Sequence, residues 1–230
     1  MSEEVTDVQT EETATAVDVV ADSAEEDLFG REKIGKILLK TAPPVMFAQL
    51  IQALYNIVDS FFVGHFSDTA LKALSVIYPF QFIAIALAVG TGVGVNTYMA
   101  RKFALHDDKS AYNAAGTGVV LAVCGWAFFS LFTLLFLRLY ATLAAATQEV
   151  VNDSMTYGLI VCIGSLGTFL EGNFSKVLQA KGNMRRPMIA QVAGALTNVV
   201  LDPLFINGWG FIPQMGVAGA AIATVIGQVV

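Results

Sequence analysis

The chain of 230 residues contains only two cysteines and two histidines, and their spacing brings none of them together. Cys124 and Cys162 lie singly in apolar stretches, whereas His65 and His106 lie in predicted loops. A zinc site needs several such ligands at close spacing, and a hydrolytic triad needs a histidine near its nucleophile. We therefore expect no metal cluster built on these residues, no cofactor and no enzymatic activity.

Charge is also scarce, because Asp, Glu, Lys and Arg make up 14% of the residues while 55% are hydrophobic and the mean hydropathy is +0.63. A soluble domain cannot keep that much apolar surface from water, so the sequence predicts an integral membrane protein. The net charge of -6 is misleading, since residues 1–28 hold ten acidic residues and no Lys or Arg. We predict a disordered acidic tail over 1–28, which lacks the basic start and apolar centre of a signal peptide.

Six apolar segments follow the tail, and each is a candidate for a membrane-spanning helix of about 20 residues. They lie near residues 42–64, 73–99, 114–140, 154–178, 187–206 and 215–230. The last is short for a hydrocarbon core of about 30 Å. The fold class predicted is therefore all-α, a polytopic membrane helix bundle of about six transmembrane helices.

A separate amphipathic segment is predicted before the first span, over residues 29–41, lying at the membrane interface. Thr41 is suited to cap the next helix, and Pro43 and Pro44 to its first turn, where no N–H donors are needed. The transmembrane region then extends over residues 42–230.

Basic residues are distributed unevenly between the two sides of this topology. Eleven fall before segment 1, between segments 2 and 3, or around the turn between segments 4 and 5, whereas only Lys72 and Arg138 fall on the opposite side. The positive-inside rule therefore places the amino terminus in the cytoplasm.

Two aspartates stand alone in these apolar segments. Asp59 is the only charged residue between Lys40 and His65, and Asp202 is the only one from Pro187 to Val230. A carboxylate at the centre of a bilayer costs about 2.5–3.5 kcal/mol on insertion scales, so such residues usually face a bundle interior and serve transport.

Both aspartates are predicted to lie at one level of the bilayer, and each has a polar residue one turn earlier. Tyr55 precedes Asp59 and Asn198 precedes Asp202 by four residues, on the same helix face. A shared site of this kind can carry a proton or hold Na+. The alternative is structural: Asp202 caps or kinks a helix before Pro203, and Asp59 reaches the interface.

Glu171 is a third acidic candidate, nearer the cytoplasmic end of segment 4. Pairing with Lys176 or Lys181 is as plausible for it as contact with a substrate.

The glycines favour close helix packing. The stretch that contains Gly90 and Gly94 superficially matches a nucleotide-binding loop, but it lies inside an apolar helix with no preceding strand. We therefore assign these two glycines to helix packing as well. The same interpretation covers Gly116, Gly118, Gly164, Gly167, Gly216 and Gly219.

Four ordered motifs resemble those of the multidrug and toxic compound extrusion (MATE) transporters. The first combines Pro43-Pro44 and Gln49-Leu with the stretch LYNIVDSFFVG over 54–64. The others are KGNMRRPM over 181–188, NVVLDPLFI over 198–206 and GVAGAAIAT over 216–224. The resemblance covers about residues 30–230.

That resemblance implies a transporter of twelve helices in two lobes, which exports mainly cationic, amphipathic compounds in exchange for H+ or Na+. This chain would be the amino-terminal lobe, and its partners would be the lipid bilayer, drug-like substrates and a carboxy-terminal lobe, with no role for nucleic acid. The cation site that the resemblance implies consists of Tyr55, Asp59, Asn198, Asp202 and Thr224, with Na+ expected at Asp59, Asp202 and Asn198. Glu171 and Gln49 would be substrate-contacting or structural residues, and the location would be the plasma membrane.

Two other functions stay open. A flippase of lipid-linked saccharides from the same superfamily is expected to place basic residues in the central cavity, and segments 1, 2, 5 and 6 offer none in their interiors. The other is a truncated membrane protein that does not transport.

Overall fold

The computed structural model describes residues 34–208 and 213–230, and its regular elements there are all helical. Seven helices follow one another along the chain: α1 Ile34–Phe66, α2 Asp68–Ala104, α3 Asp108–Ala144, α4 Gln148–Gly164, α5 Leu166–Ala180, α6 Arg185–Asn207 and α7 Val217–Val229. The predicted all-α bundle is therefore confirmed. The predicted disordered tail, 1–28, and residues 29–33 lie outside the described residues.

Length and apolar composition identify the helices that can cross a membrane. Among the described residues, α1, α2, α3 and α6 each qualify, and α4 with α5 qualifies as one bent span. Helix α7 has 13 residues, about 20 Å at 1.5 Å per residue, so this described part is shorter than a bilayer core of about 30 Å. Each of the six predicted segments thus has a helical counterpart.

Helix α1 differs from the prediction at its start. The described part of the predicted interfacial segment, residues 34–41, is continuous with the span. Thr41 is not a cap, because its hydroxyl donates to the Ile37 carbonyl at 2.9 Å inside the helix. Pro43 and Pro44 also lie inside α1, where each removes one backbone hydrogen bond. The apolar residues on both sides extend the helix through the prolines, which sequence rules assign to a first turn.

The fourth predicted span is broken into two helices. Helices α4 and α5 meet at Ser165 with a bend of 40°. The buried Ser165 hydroxyl donates to the Cys162 carbonyl at 2.7 Å, so it supplies a local partner where the regular helix is interrupted.

Glycine lets several helices approach backbone to backbone. A side chain at Gly194 of α6 would collide with the Gly227 carbonyl of α7, and one at Gly219 would collide with the Phe205 carbonyl. Gly164 and Gly167 likewise have no room for a side chain beside Val225 and Gln228 of α7. Close packing is confirmed for these glycines and also for Gly118 and Gly216.

Gly90, Gly94 and Gly116 contradict that prediction, because a Cβ on any of them would meet nothing within 4 Å. Gly90 and Gly94 instead line an open groove of about 670 Å³ between α2 and α3, together with polar side chains that include Thr91 and Asn113. The small residues there leave a space that no described helix fills.

One end of the bundle carries most of the positive charge. Successive helices run in opposite directions, so the start of α1 and the turns at 105–107 and 181–184 lie at the same end of the bundle. A hydrogen bond connects two helices there, because the Lys181 ammonium donates to the Tyr112 hydroxyl at 3.1 Å. At the turn over 105–107, the Lys102 ammonium donates to the Asp107 carboxylate at 2.8 Å. This hydrogen bond lowers the pKa of the Asp107 carboxyl group to about 2. Lys72 and Arg138 lie towards the opposite end.

The glycine contacts predict opposite results for two matched substitutions. Gly194→Ala forces α6 and α7 apart and should destabilise the protein by about 1–3 kcal/mol, as overpacking does. Gly94→Ala should leave stability unchanged or raise it slightly, because the methyl group has room and alanine favours a helix. Thermal unfolding in detergent, followed by tryptophan fluorescence, measures both. Equal melting temperatures for the two variants would contradict the described α6–α7 packing.

Candidate functional site

The structure brings Asp59 of α1 and Asp202 of α6 together. Their carboxyl groups lie within hydrogen-bonding range of each other, and the two side chains are 6% and 0% exposed. Helix α6 continues through Pro203, so Asp202 neither caps nor ends it. Asp59 is one of only three fully buried residues on helix α1, whose other residues are partly or fully exposed. The burial of both carboxyl groups argues against the structural alternative.

Asn198 links the pair of carboxyl groups to α7. With its amide oriented so that both ends find partners, Nδ2 donates to Asp202 Oδ2 at 2.9 Å and Oδ1 accepts from the Thr224 backbone N–H at 3.0 Å. The Thr224 hydroxyl donates to the Ala220 carbonyl at 2.9 Å within α7. The predicted residues Asn198 and Thr224 thus belong to one buried network with Asp202.

Tyrosine side chains complete the surroundings of the carboxyl groups. The Tyr55 hydroxyl is close enough to interact electrostatically with the carboxyl groups of both Asp59 and Asp202. Tyr157 of α4 is fully buried close to Asp59 and Thr224, and Gln81 of α2 donates to its hydroxyl at 3.4 Å. Tyr157 and Gln81 were missed by sequence reasoning. Neither carries charge or a motif, so the only available signal was a polar group inside an apolar segment.

This arrangement has a definite chemical consequence. Two neighbouring carboxylates in a buried site repel each other, so they need a shared proton or a bound cation. Among the described residues, neither carboxylate forms an ion pair with Lys or Arg. The Oδ1 atoms of Asp59 and Asp202 are buried and accept no hydrogen bond from the described part of the chain. Two carboxyl groups with a neighbouring tyrosine hydroxyl form this position, and it can take a proton or a small hard cation.

Glu171 and Gln49 lie apart from that network. Glu171 of α5 is half-buried and accepts from Ser175 at 2.6 Å and from Gln191 of α6 at 3.0 Å. Pairing with lysine, one of the two roles left open for Glu171, is not found among the described residues, because Lys176 donates to Gln179 and Lys181 to Tyr112. Ser175, one turn farther along α5, and Gln191, on the neighbouring helix α6, lie closer to the Glu171 carboxylate than the lysine ammonium groups do. Gln49 is exposed on α1.

Comparison with known proteins gives a consistent result. The family model MatE matches residues 44–204. The "Probable multidrug resistance protein NorM" of Thermotoga maritima is 27% identical over 198 residues, which are 86% of this chain and 43% of that protein. The "FAD transporter" of Shewanella oneidensis is 28% identical over 200 residues, 86% of this chain and 44% of that protein.

A solved structure of a multidrug resistance MATE family transporter of the MOP superfamily, in an outward-facing conformation, is similar with a TM-score of 0.77 and 30% identity. The alignment covers 84% of this chain and 42% of that one. The chain therefore spans less than half the length of the relatives that it matches.

The network around Asp202 predicts a stability difference between two adjacent residues. Asn198→Ala leaves the buried Asp202 Oδ2 without its amide donor, which should cost about 1–3 kcal/mol. Thr197→Ala removes a methyl group and a hydroxyl that donates to the Ala193 carbonyl of its own helix, and it leaves no polar group on another side chain without a partner, so it should cost much less. Thermal unfolding in detergent compares them. If Thr197→Ala proves the more destabilising, the Asn198 bridge is not the stabilising contact.

Proposed function

The chain belongs to the MatE family of membrane transporters, and we propose that it is the ion-binding, amino-terminal lobe of a cation-coupled multidrug antiporter. The family membership and the match to the first 40–45% of its relatives' length support the lobe assignment. The complete transporter would export amphipathic, mainly cationic compounds in exchange for H+ or Na+. A transporter of this kind catalyses no covalent reaction.

A single observation carries the coupling part of the proposal: Asp59 and Asp202 meet, buried, and one oxygen of each carboxyl group accepts no hydrogen bond from the described residues. Such a pair binds a cation or a proton more tightly when its two helices are held together than when they separate. A conformational change that moves α1 relative to α6 therefore changes ion affinity, and differential affinity between two states is what couples an ion gradient to transport.

Alternating access requires a second lobe. In transporters built from structural repeats, one half rocks against the other around a site near the bilayer midplane. The large apolar side chains exposed along α1, among them Phe47, Leu54 and Phe61, are suited to contact lipid or such a lobe. We propose that a carboxy-terminal lobe and this chain enclose the substrate cavity together, with Glu171 and Gln49 as candidate substrate contacts.

The proposed location is the plasma membrane, with the basic end of the bundle in the cytoplasm. Nine basic residues of the described ranges lie at that end: Lys36, Lys40, Arg101, Lys102, Lys109, Lys176, Lys181, Arg185 and Arg186. Lys72 and Arg138 are the two towards the other end. The positive-inside rule then places the start of α1 inside the cell.

Neutralising either aspartate should abolish ion-driven export. Asp59→Asn and Asp202→Asn keep the size of the side chain but remove the charge that holds H+ or Na+. In a full-length form reconstituted into proteoliposomes, both variants should lose gradient-driven efflux of a fluorescent cationic drug. Asp108→Asn is the matched control, because that carboxylate is exposed in the first turn of α3. Near-normal coupled efflux in both site variants would contradict the proposal.

The same proteoliposomes identify the coupling ion. An H+ gradient and a Na+ gradient are imposed in separate experiments. We expect one of the two gradients to drive efflux, and we expect that efflux to require both Asp59 and Asp202. Parallel assays with FAD address the cargo of one relative. Efflux that follows neither gradient would remove the coupling role and favour a lobe that does not transport by ion exchange.

A further inference from the structure

A small basic cleft lies at the end of the bundle where the chain enters α1. It has a volume of about 230 Å³ and is formed by Leu39–Pro44 of α1 and by the turn before α6. Lys40 and Arg185 line it, and both side chains are exposed. The volume corresponds to about seven or eight waters at about 30 Å³ each, and it is below the 300–1,000 Å³ range typical of sites for drug-sized ligands. Carboxylate side chains fit such a space, whereas a drug molecule does not.

The described charges at this end are strongly unbalanced. Nine basic residues lie there, against the acids Asp107 and Asp108, with Glu171 the next nearest. Asp107 already pairs with Lys102. The described part of this end therefore carries an excess of positive charge, and Lys40 and Arg185 place part of it in the lining of the cleft.

The complementary charge is in the same chain. Residues 1–28 hold ten acidic residues and no Lys or Arg. Five residues separate this segment from Ile34, and Lys40 lies six residues farther along α1, about 9 Å at 1.5 Å per residue. Twenty-eight extended residues reach at most about 90–100 Å, so the cleft is well within range. Covalent attachment also raises the local concentration of the acids at the cleft far above that of a free anion.

We propose that the acidic segment 1–28 docks on the basic cleft of its own chain, with its carboxylates between Lys40 and Arg185. The docked segment bridges α1 and the turn that opens α6, the two helices that carry Asp59 and Asp202. Docking depends on charge complementarity alone, so it is independent of the proposed transport function. High salt opposes it, because the screening length falls from about 10 Å at 0.1 M to about 3 Å at 1 M salt.

Disulfide trapping tests the docking in a full-length form held in uncharged detergent. Ser23→Cys is combined with Met184→Cys, which lines the cleft, in a Cys124→Ser background. The matched pair combines Ser23→Cys with Leu105→Cys, in the other turn at the same end, where the side chain is 63% exposed. At low salt we expect the Met184 pair to form its disulfide at least tenfold faster than the Leu105 pair, and 1 M salt to remove the difference.

Charge neutralisation separates docking from chance proximity. Lys40→Gln with Arg185→Gln should reduce the rate of the Met184 pair to that of the Leu105 pair, whereas Lys109→Gln, an exposed basic residue at the same end, should not. Equal rates for the two pairs, or a fast rate that persists after neutralisation, would overturn the proposal. The proposal is also overturned if photoactivatable phosphatidylglycerol labels the cleft in a Lys40- and Arg185-dependent manner while the disulfide forms no faster than in the control. An anionic lipid would then be the occupant.

Discussion

The placement of two carboxyl groups side by side inside an apolar helix bundle is the constraint on which the rest of the structure depends. Asp59 and Asp202 can share that space only with a proton or cation between them and with donors around them. Asn198, on the same helix as Asp202, donates to it; the backbone N–H of Thr224 on α7 donates to Asn198, and Gln81 of α2 donates to Tyr157 of α4 beside them. Five helices, α1, α2, α4, α6 and α7, therefore meet at one buried polar site.

Close helix contact is what allows that network to form. The Asn198 amide reaches the backbone of α7 because Gly194 and Gly227 let α6 and α7 touch, and Gly164 and Gly167 let the bent pair α4–α5 approach α7 in the same way. The polar site and the glycine contacts thus depend on each other. A change that separates α6 from α7 would disrupt both, which gives a physical route from helix movement to the surroundings of the paired carboxyl groups.

The sequence predicts the helical class, the six segments and the two aspartates, because isolated charges in apolar stretches are conspicuous. It does not predict Tyr157 and Gln81, whose residue types are ordinary in such stretches and whose role arises only from contacts between distant helices. The break at Ser165 and the helix through Pro43 and Pro44 were not predicted, because local rules assign prolines to a first turn and contain no signal for an interruption at Ser165. Gly90 and Gly94 also have a spacing suited to helix packing, yet a Cβ on either would meet no atom within 4 Å.

Direct observation of ion binding at the paired carboxyl groups tests the account most closely. Infrared difference spectroscopy of the purified full-length protein, recorded while pH or Na+ concentration changes, reports the protonation of buried carboxyl groups. The account predicts a carboxyl band that disappears when the proton is released or replaced by Na+, and that is absent from the variant in which both Asp59 and Asp202 are changed to Asn. An unchanged difference spectrum in that variant would contradict the account.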